Sequence, residues 1–183
     1  MPMGLHGAPS SFARMMDSIM EGARGVITYI DDLLIHSPDH SQHLEDLEEC
    51  LGRLKKHGLK LNLPKCIFSG TKIPYLGFTL SAEGIQPGED KLKAVRDFPT
   101  PISTKQIREF VGLVNYFRLM VHNHARLTGH LTKLLRKDSS WTSGPLPEAA
   151  LAAFQKLRHR LCSRPLLSFP TPGTPFKLST DAA

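Results

Sequence analysis

The run Val26-Ile27-Thr28-Tyr29-Ile30-Asp31-Asp32-Leu33-Leu34-Ile35-His36 constrains this chain more than any other segment, because it sets two adjacent carboxylates between two β-prone apolar stretches. The pattern predicts a β-hairpin over 26–36 that carries its acids at the tip. Neighbouring carboxylates repel each other and lose hydration where they are partly buried, and a divalent cation offsets both costs. The plainer reading is a turn pair with no metal, since Asp is favoured in turns for conformational reasons alone.

Around that hairpin the sequence predicts helices and short strands. Phe12, Met15, Met16, Ile19 and Met20 recur at helical spacing after the Gly/Pro-rich opening, which predicts one amphipathic helix. Ser37 and Pro38 have the form of a helix start, with Ser37 as N-cap, and Leu44, Leu47, Leu51 and Leu54 line one face until Gly58. Leu59–Phe68 and Ile73–Leu80 read as short strands interrupted by Pro64, Gly70 and Pro74, and Ser81-Ala82-Glu83-Gly84 reads as a closing turn. A short basic helix is expected between Pro87-Gly88 and the hinge Pro99-Thr100-Pro101. Ser103 and Gln106 form a capping box ahead of the stripe Ile107, Phe110, Val111, Val114 and Phe117. Helices are expected over 127–137 and 147–163, with Trp141 in the loop between them, and an alternating strand over Phe176–Asp181.

Charge is unevenly spread. Residues 1–50 hold two Lys/Arg against nine Asp/Glu, whereas residues 91–164 hold fourteen against four. A basic second half in a chain of pI 9.4 fits phosphate contact; a solvated lysine face is the bland alternative. The three cysteines are widely spaced and form no Cys-x-x-Cys pair, which reads as free thiols in a reducing compartment. No apolar run reaches the roughly 20 residues of a membrane span, and no signal-peptide layout opens the chain. The expectation from these features is an intracellular, soluble chain with no membrane partner. His122, His124 and His130 lack a thiol or carboxylate at ligand spacing and read as ordinary surface or loop histidines.

Segments in one order across essentially the whole chain resemble the reverse transcriptases of gypsy-type long-terminal-repeat retrotransposons. Met1–Phe12 is similar to their Phe-Gly-Leu-x-x-Ala-Pro-x-x-Phe segment, with Met3 in place of the usual Phe. Tyr29-Ile30-Asp31-Asp32 resembles the catalytic Tyr-x-Asp-Asp, Leu59–Cys66 the basic segment after the palm helix, and Tyr75-Leu76-Gly77-Phe78 the primer grip. Phe98–Pro101 and Ile107–Arg118 resemble the thumb, and Phe176–Ala183 the first strand of the ribonuclease H domain.

The resemblance implies an RNA-directed DNA polymerase that uses Mg²⁺ or Mn²⁺, in which two ions about 3.5–4 Å apart serve transfer to a primer 3′-hydroxyl. Asp31 is then the principal metal ligand and Asp32 its support, while the Tyr29 ring lies near the primer end. Lys65 has a general-acid role toward pyrophosphate, or is a plain phosphate or surface lysine. Gly4, Ala8 and Pro9 would let backbone approach the template and nucleotide, unless they are only a helix-entry turn. Tyr75, Leu76 and Gly77 would hold the primer backbone; Tyr75 also reads as a core aromatic. Lys105, Arg108 and Arg118, with Arg126, would grip the phosphates of an RNA/DNA hybrid or primer-template. Asp181 would be the leading metal ligand of ribonuclease H. The implied partners are the primer-template, deoxynucleoside triphosphates, and the upstream fingers and palm segment of a parent polyprotein. The implied location is cytoplasmic (particle-associated) or nuclear.

The fold expected on this basis is α+β: the C-terminal part of a right-hand palm over 1–84, a helical thumb over 85–165, and the stub of a ribonuclease H-like domain over 166–183. The family's third palm carboxylate stands on an earlier strand, and residues 1–25 hold Asp17 as their only Asp, in a helical setting. Both catalytic centres are thus expected to be incomplete here, with little or no activity in the isolated chain and a loosely held palm. The alternative is a retroelement-derived protein that binds nucleic acid without catalysis.

Overall fold

A computed structural model describes residues 6–163, 165–171 and 173–175. The chain divides into two compact units between residues 66 and 67, each with its own sheet and core. Both mix helices with small antiparallel sheets, an α+β construction.

In the first unit, helix α1 (Ala8–Met20) starts with Pro in its first turn, where the missing N–H costs nothing. Strands β1 (Val26–Tyr29) and β2 (Asp32–Ile35) pair antiparallel, and helix α2 (His40–Lys56) follows. Met16, Ile19, Met20, Cys50 and Leu54 form the buried core, flanked by Phe12, Val26, Leu33 and Ile35. Met15, expected on the apolar stripe, faces outward instead.

Helix α2 departs from expectation at both its start and its buried face. Asp39, not Ser37, is the N-cap: its carboxylate accepts the Gln42 backbone N–H at 2.9 Å, while the Ser37 hydroxyl turns inward. The buried positions are Asp46, Cys50 and Leu54; of the leucine stripe only Leu54 is buried, Leu47 and Leu51 are half-buried and Leu44 is exposed, so the inward face is shifted from the stripe toward Asp46 and Cys50. On that inward face Asp46 takes polar partners from beyond the helix, Arg24 and Ser37. The strand expected over Leu59–Phe68 is absent. Pro64, which has no N–H for a ladder, sits in a 3₁₀ turn over Leu63–Lys65.

The second unit opens with a three-stranded meander of β3 (Lys72–Tyr75), β4 (Phe78–Ser81) and β5 (Gly84–Pro87). The predicted strand over Ile73–Leu80 is thus a hairpin that turns at Leu76-Gly77. Beyond it come α3 (Glu89–Arg96), α4 (Thr104–Asn115), α5 (His124–Thr132) and α6 (Glu148–Cys162). At the start of α4 the Ser103 hydroxyl accepts the Gln106 N–H, but the returning Gln106 carbonyl accepts from Ile102 rather than from the cap. The expected stripe Ile107, Phe110, Val111, Val114 and Phe117 is buried throughout, against Leu131, Phe154, Leu157 and Leu161. After α6 the chain returns to the sheet, where Leu167 exchanges both backbone hydrogen bonds with Ile85 at 2.9 Å.

Candidate functional site

The acid hairpin is built from four residue pairs, from Val26 opposite Ile35 to Tyr29 opposite Asp32. Strand alternation sends Val26 and Thr28 inward and leaves Ile27 and Tyr29 exposed, so Tyr29 and Asp32 share the outer face. Ile30 and Asp31 make the turn, and Ile30 holds φ +54°, a left-handed conformation that a β-branched side chain rarely adopts. Asp31 and Asp32 are exposed, and neither carboxylate is engaged by another described residue. Asp17 is already occupied, since it accepts the Thr28 hydroxyl and ties α1 to β1.

The other end of the hairpin is closed tightly. Gly25, at φ +66°, accepts the His36 N–H at 2.8 Å, and a Cβ on it would stand 2.2 Å from the His36 carbonyl oxygen. Beside this closure lies Asp46, 1% exposed. Its carboxylate accepts from the Ser37 hydroxyl at 2.5 Å, Arg24 Nε at 2.9 Å and Gln42 Nε2 at 3.0 Å. The Ser37 hydroxyl above all, with Arg24, holds Asp46 below the usual carboxylate range against the opposing pull of burial.

Ala8 and Pro9 lie in the first turn of α1, and Lys65 is exposed in the 3₁₀ turn. Gly4 and Asp181, with the strand expected over Phe176–Asp181, lie outside the described residues.

In the second unit, Tyr75 and Phe78 face each other across the turn formed by Leu76 and Gly77, both at positive φ. That is the left-handed pair that suits a two-residue hairpin, although Leu in the first place is strained. Tyr116, just after α4, donates its hydroxyl to the Leu76 carbonyl and stacks on Phe78 at 5.1 Å. The Lys91 ammonium lies 3.7 Å above the Tyr116 ring, and Gly88 donates to the Gly77 carbonyl at 3.0 Å. Lys105 and Arg108 stand one turn apart on the exposed face of α4, and Arg118 follows in a 3₁₀ turn; none of the three has an ion pair among the described residues.

Sequence reading missed Asp46 and Lys91, and it met Tyr116 only as part of a motif. Apolar periodicity is blind to them, because their partners come from distant positions. The three neighbouring histidines give no metal cluster among the described residues. His124 is half-buried with its Nε2 unpartnered, and burial pushes its pKa below the usual imidazole value. No helix among the described residues is long and apolar enough to cross a membrane.

Residues 1–80 match the family described as reverse transcriptase (RNA-dependent DNA polymerase). Across its whole length the chain is 36% identical to the retrovirus-related Pol polyprotein from transposon opus and 33% to that from transposon 297, both of Drosophila melanogaster. It is 31% identical to the transposon Tf2-3 polyprotein of Schizosaccharomyces pombe. The chain spans 19%, 17% and 14% of those relatives. Among solved structures, the foamy viral protease-reverse transcriptase in complex with dsDNA overlays with a TM-score of 0.84 at 19% identity, covering 96% of this chain and 37% of that one. The same protein in complex with an RNA/DNA hybrid gives 0.80 at 20% identity, covering 92% and 23%. These overlays establish likeness of fold, and the sequence matches carry the kinship: the chain belongs to the retrotransposon reverse transcriptases and corresponds to a segment of their Pol polyproteins.

Proposed function

We propose that the chain is the C-terminal palm and the thumb of a retroelement RNA-directed DNA polymerase, and that Asp31 and Asp32 are two of the acids of its polymerase centre. One observation carries this reading: both carboxylates stand exposed and unengaged at the tip of a hairpin within the residues that match the reverse transcriptase family. Two hard-oxygen donors suit Mg²⁺, which takes few protein ligands and keeps several waters. A bound divalent cation would lower the pKa of a primer 3′-hydroxyl and neutralise the charge that develops on pyrophosphate.

The chain's own groups do the rest. Asp31 and Asp32 hold the cation, and Tyr29, on the same face as Asp32, packs by the primer end. Lys65 faces phosphate. The turn Tyr75-Leu76-Gly77 presents backbone to the primer strand, while Lys105, Arg108 and Arg118 neutralise hybrid phosphates without reading sequence. In this scheme residues 1–84 serve as palm, 85–165 as thumb, and 166–183 lead into a ribonuclease H-like domain. The complexes formed by the foamy viral relatives with dsDNA and hybrid support nucleic acid as the partner.

No third carboxylate joins Asp31 and Asp32 among the described residues, and Asp17 accepts the Thr28 hydroxyl instead. The isolated chain is therefore expected to bind an RNA/DNA hybrid in a salt-sensitive way but to extend a primer poorly or not at all. Fluorescence anisotropy with a labelled hybrid, beside a Mg²⁺ primer-extension assay, tests both parts. Absence of binding at low salt overturns the assignment, and robust extension overturns the expected inactivity.

A further inference from the structure

We propose that Asp46 is a positioning residue for the acid hairpin: its one buried carboxylate clasps both legs at their open end and thereby fixes where Asp31 and Asp32 stand. This rests on the reading of Asp31 and Asp32 as metal ligands.

The hairpin needs such a device. Its ladder has four residue pairs and two strands, and an isolated two-stranded hairpin is marginal in water. Its tip carries Ile30 in a left-handed conformation, which persists only where the surroundings over-determine it. The tip itself is exposed and its acids make no contact that could hold it. Restraint must come from elsewhere along the strands.

Asp46 supplies it from α2. Arg24, two residues before β1, donates through Nε to Oδ1, and Ser37, two residues after β2, donates its hydroxyl to Oδ2. Gln42 Nε2 takes a second place on Oδ1, and Glu45 draws the other end of the Arg24 guanidinium at 3.5 Å. His43 Nδ1 lies 3.5 Å from the Ser37 hydroxyl. One carboxylate thus bonds side chains from both legs, next to the point where Gly25 and His36 leave no space for a Cβ. A neutral amide in its place would give up the negative charge that draws Arg24 and would present an N–H at one of the two positions where Arg24 and Ser37 now donate, so the Ser37 side survives only if its hydroxyl reverses to accept. The separation of roles is clear, since Asp46 touches neither acid and acts through the strands.

The test is made on the 183-residue chain, with Asp46→Asn, Asp46→Glu, Ser37→Ala and Arg24→Gln. Amide hydrogen exchange by NMR reads the hairpin, and Mn²⁺-induced broadening of the amides of residues 29–33 reads the acids. In Asp46→Asn the exchange of the 26–35 amides is expected to quicken about tenfold relative to those of α2. Mn²⁺ affinity is expected to weaken on the order of tenfold, the lower end of what supporting residues of metal ligands contribute. Asp46→Glu, which keeps the charge, should recover part of both. Ser37→Ala and Arg24→Gln should each reproduce part of the loss, and they decide the matter if Asp46→Asn does not fold. The clasp is overturned if all variants exchange and bind as the parent does, if only global melting moves, or if the parent hairpin is itself unprotected. Should Mn²⁺ fail to broaden the tip in the parent, the metal-site reading falls and exchange alone judges the clasp.

Discussion

The two hairpins of this chain solve the same backbone problem in opposite ways. Each turns in two residues and forces a bulky aliphatic side chain, Ile30 in one and Leu76 in the other, into positive φ. At Leu76-Gly77 the unit's own groups secure the tip: the Tyr116 hydroxyl bonds the Leu76 carbonyl, Lys91 covers the Tyr116 ring, and the Gly88 backbone N–H donates to the Gly77 carbonyl. At Ile30-Asp31 the tip is bare and the bonding gathers at the far end, around Gly25, Ser37 and Asp46. A turn that must keep its carboxylates open to a ligand cannot be secured by contacts at those carboxylates. A turn that offers only backbone can be gripped from its own side.

Substitutions at the two closures should separate the regions, and the single tryptophan helps, because Trp141 lies in the second unit and reports on it. The largest effect is expected at Gly25→Ala, where the new methyl meets the His36 carbonyl oxygen at 2.2 Å and φ is +66°. A loss of about 3 kcal/mol or more should erase the hairpin amide signals while the Trp141 melting curve stays in place. If both units melt together, the contrast between base-held and tip-held hairpins loses its footing. Gly77→Ala should cost less, about 2 kcal/mol, because the atoms in its way are the flexible end of Lys91 and the Tyr116 hydroxyl. Its signature is an earlier Trp141 transition with the first hairpin unchanged.

Leu76→Asn tests the strain itself. It creates the Asn-Gly pair that two-residue hairpins favour and should raise the stability of the second unit by roughly 0.5–1 kcal/mol, read as a shift of the urea midpoint. The mildest response is to acid. The unfolded chain takes up a proton at His124 near pH 6.5 that the folded site resists, so the second unit should weaken as pH falls below that value. Asp46 behaves alike at lower pH: its depressed folded pKa keeps its contribution intact above about pH 4, and the first unit loses it as pH drops further. Trp141 fluorescence and hairpin amide shifts, followed from pH 8 to pH 3, should therefore change in that order.

Local patterns made much of this legible. The alternation around Tyr29–Asp32 marked a hairpin with its acids at the turn, and the Ser103 cap with its apolar stripe marked the start and the buried face of α4. Reading failed where a residue answers to something distant in sequence. The leucines of α2 marked a face of which only Leu54 is buried; Asp46 shares the inward side, where Arg24 and Ser37 reach it from outside the helix. The Tyr116 bond to Leu76 spans 40 positions and leaves no periodic trace. Over Leu59–Phe68 the apolar content looked like a strand, yet Pro64 cannot donate to a ladder and the chain coils instead.

The rung between Ile85 and Leu167 has a bearing on solubility. A meander leaves β5 with unpaired backbone along its outer side, an invitation for foreign strands to add on. Leu167 occupies that place with both of its bonds, and Gly84 admits it because any side chain there would strike the Leu167 carbonyl oxygen at 2.5 Å. The segment that leaves the last helix thus serves as a selvage, finishing the border of the sheet against fraying into intermolecular assemblies.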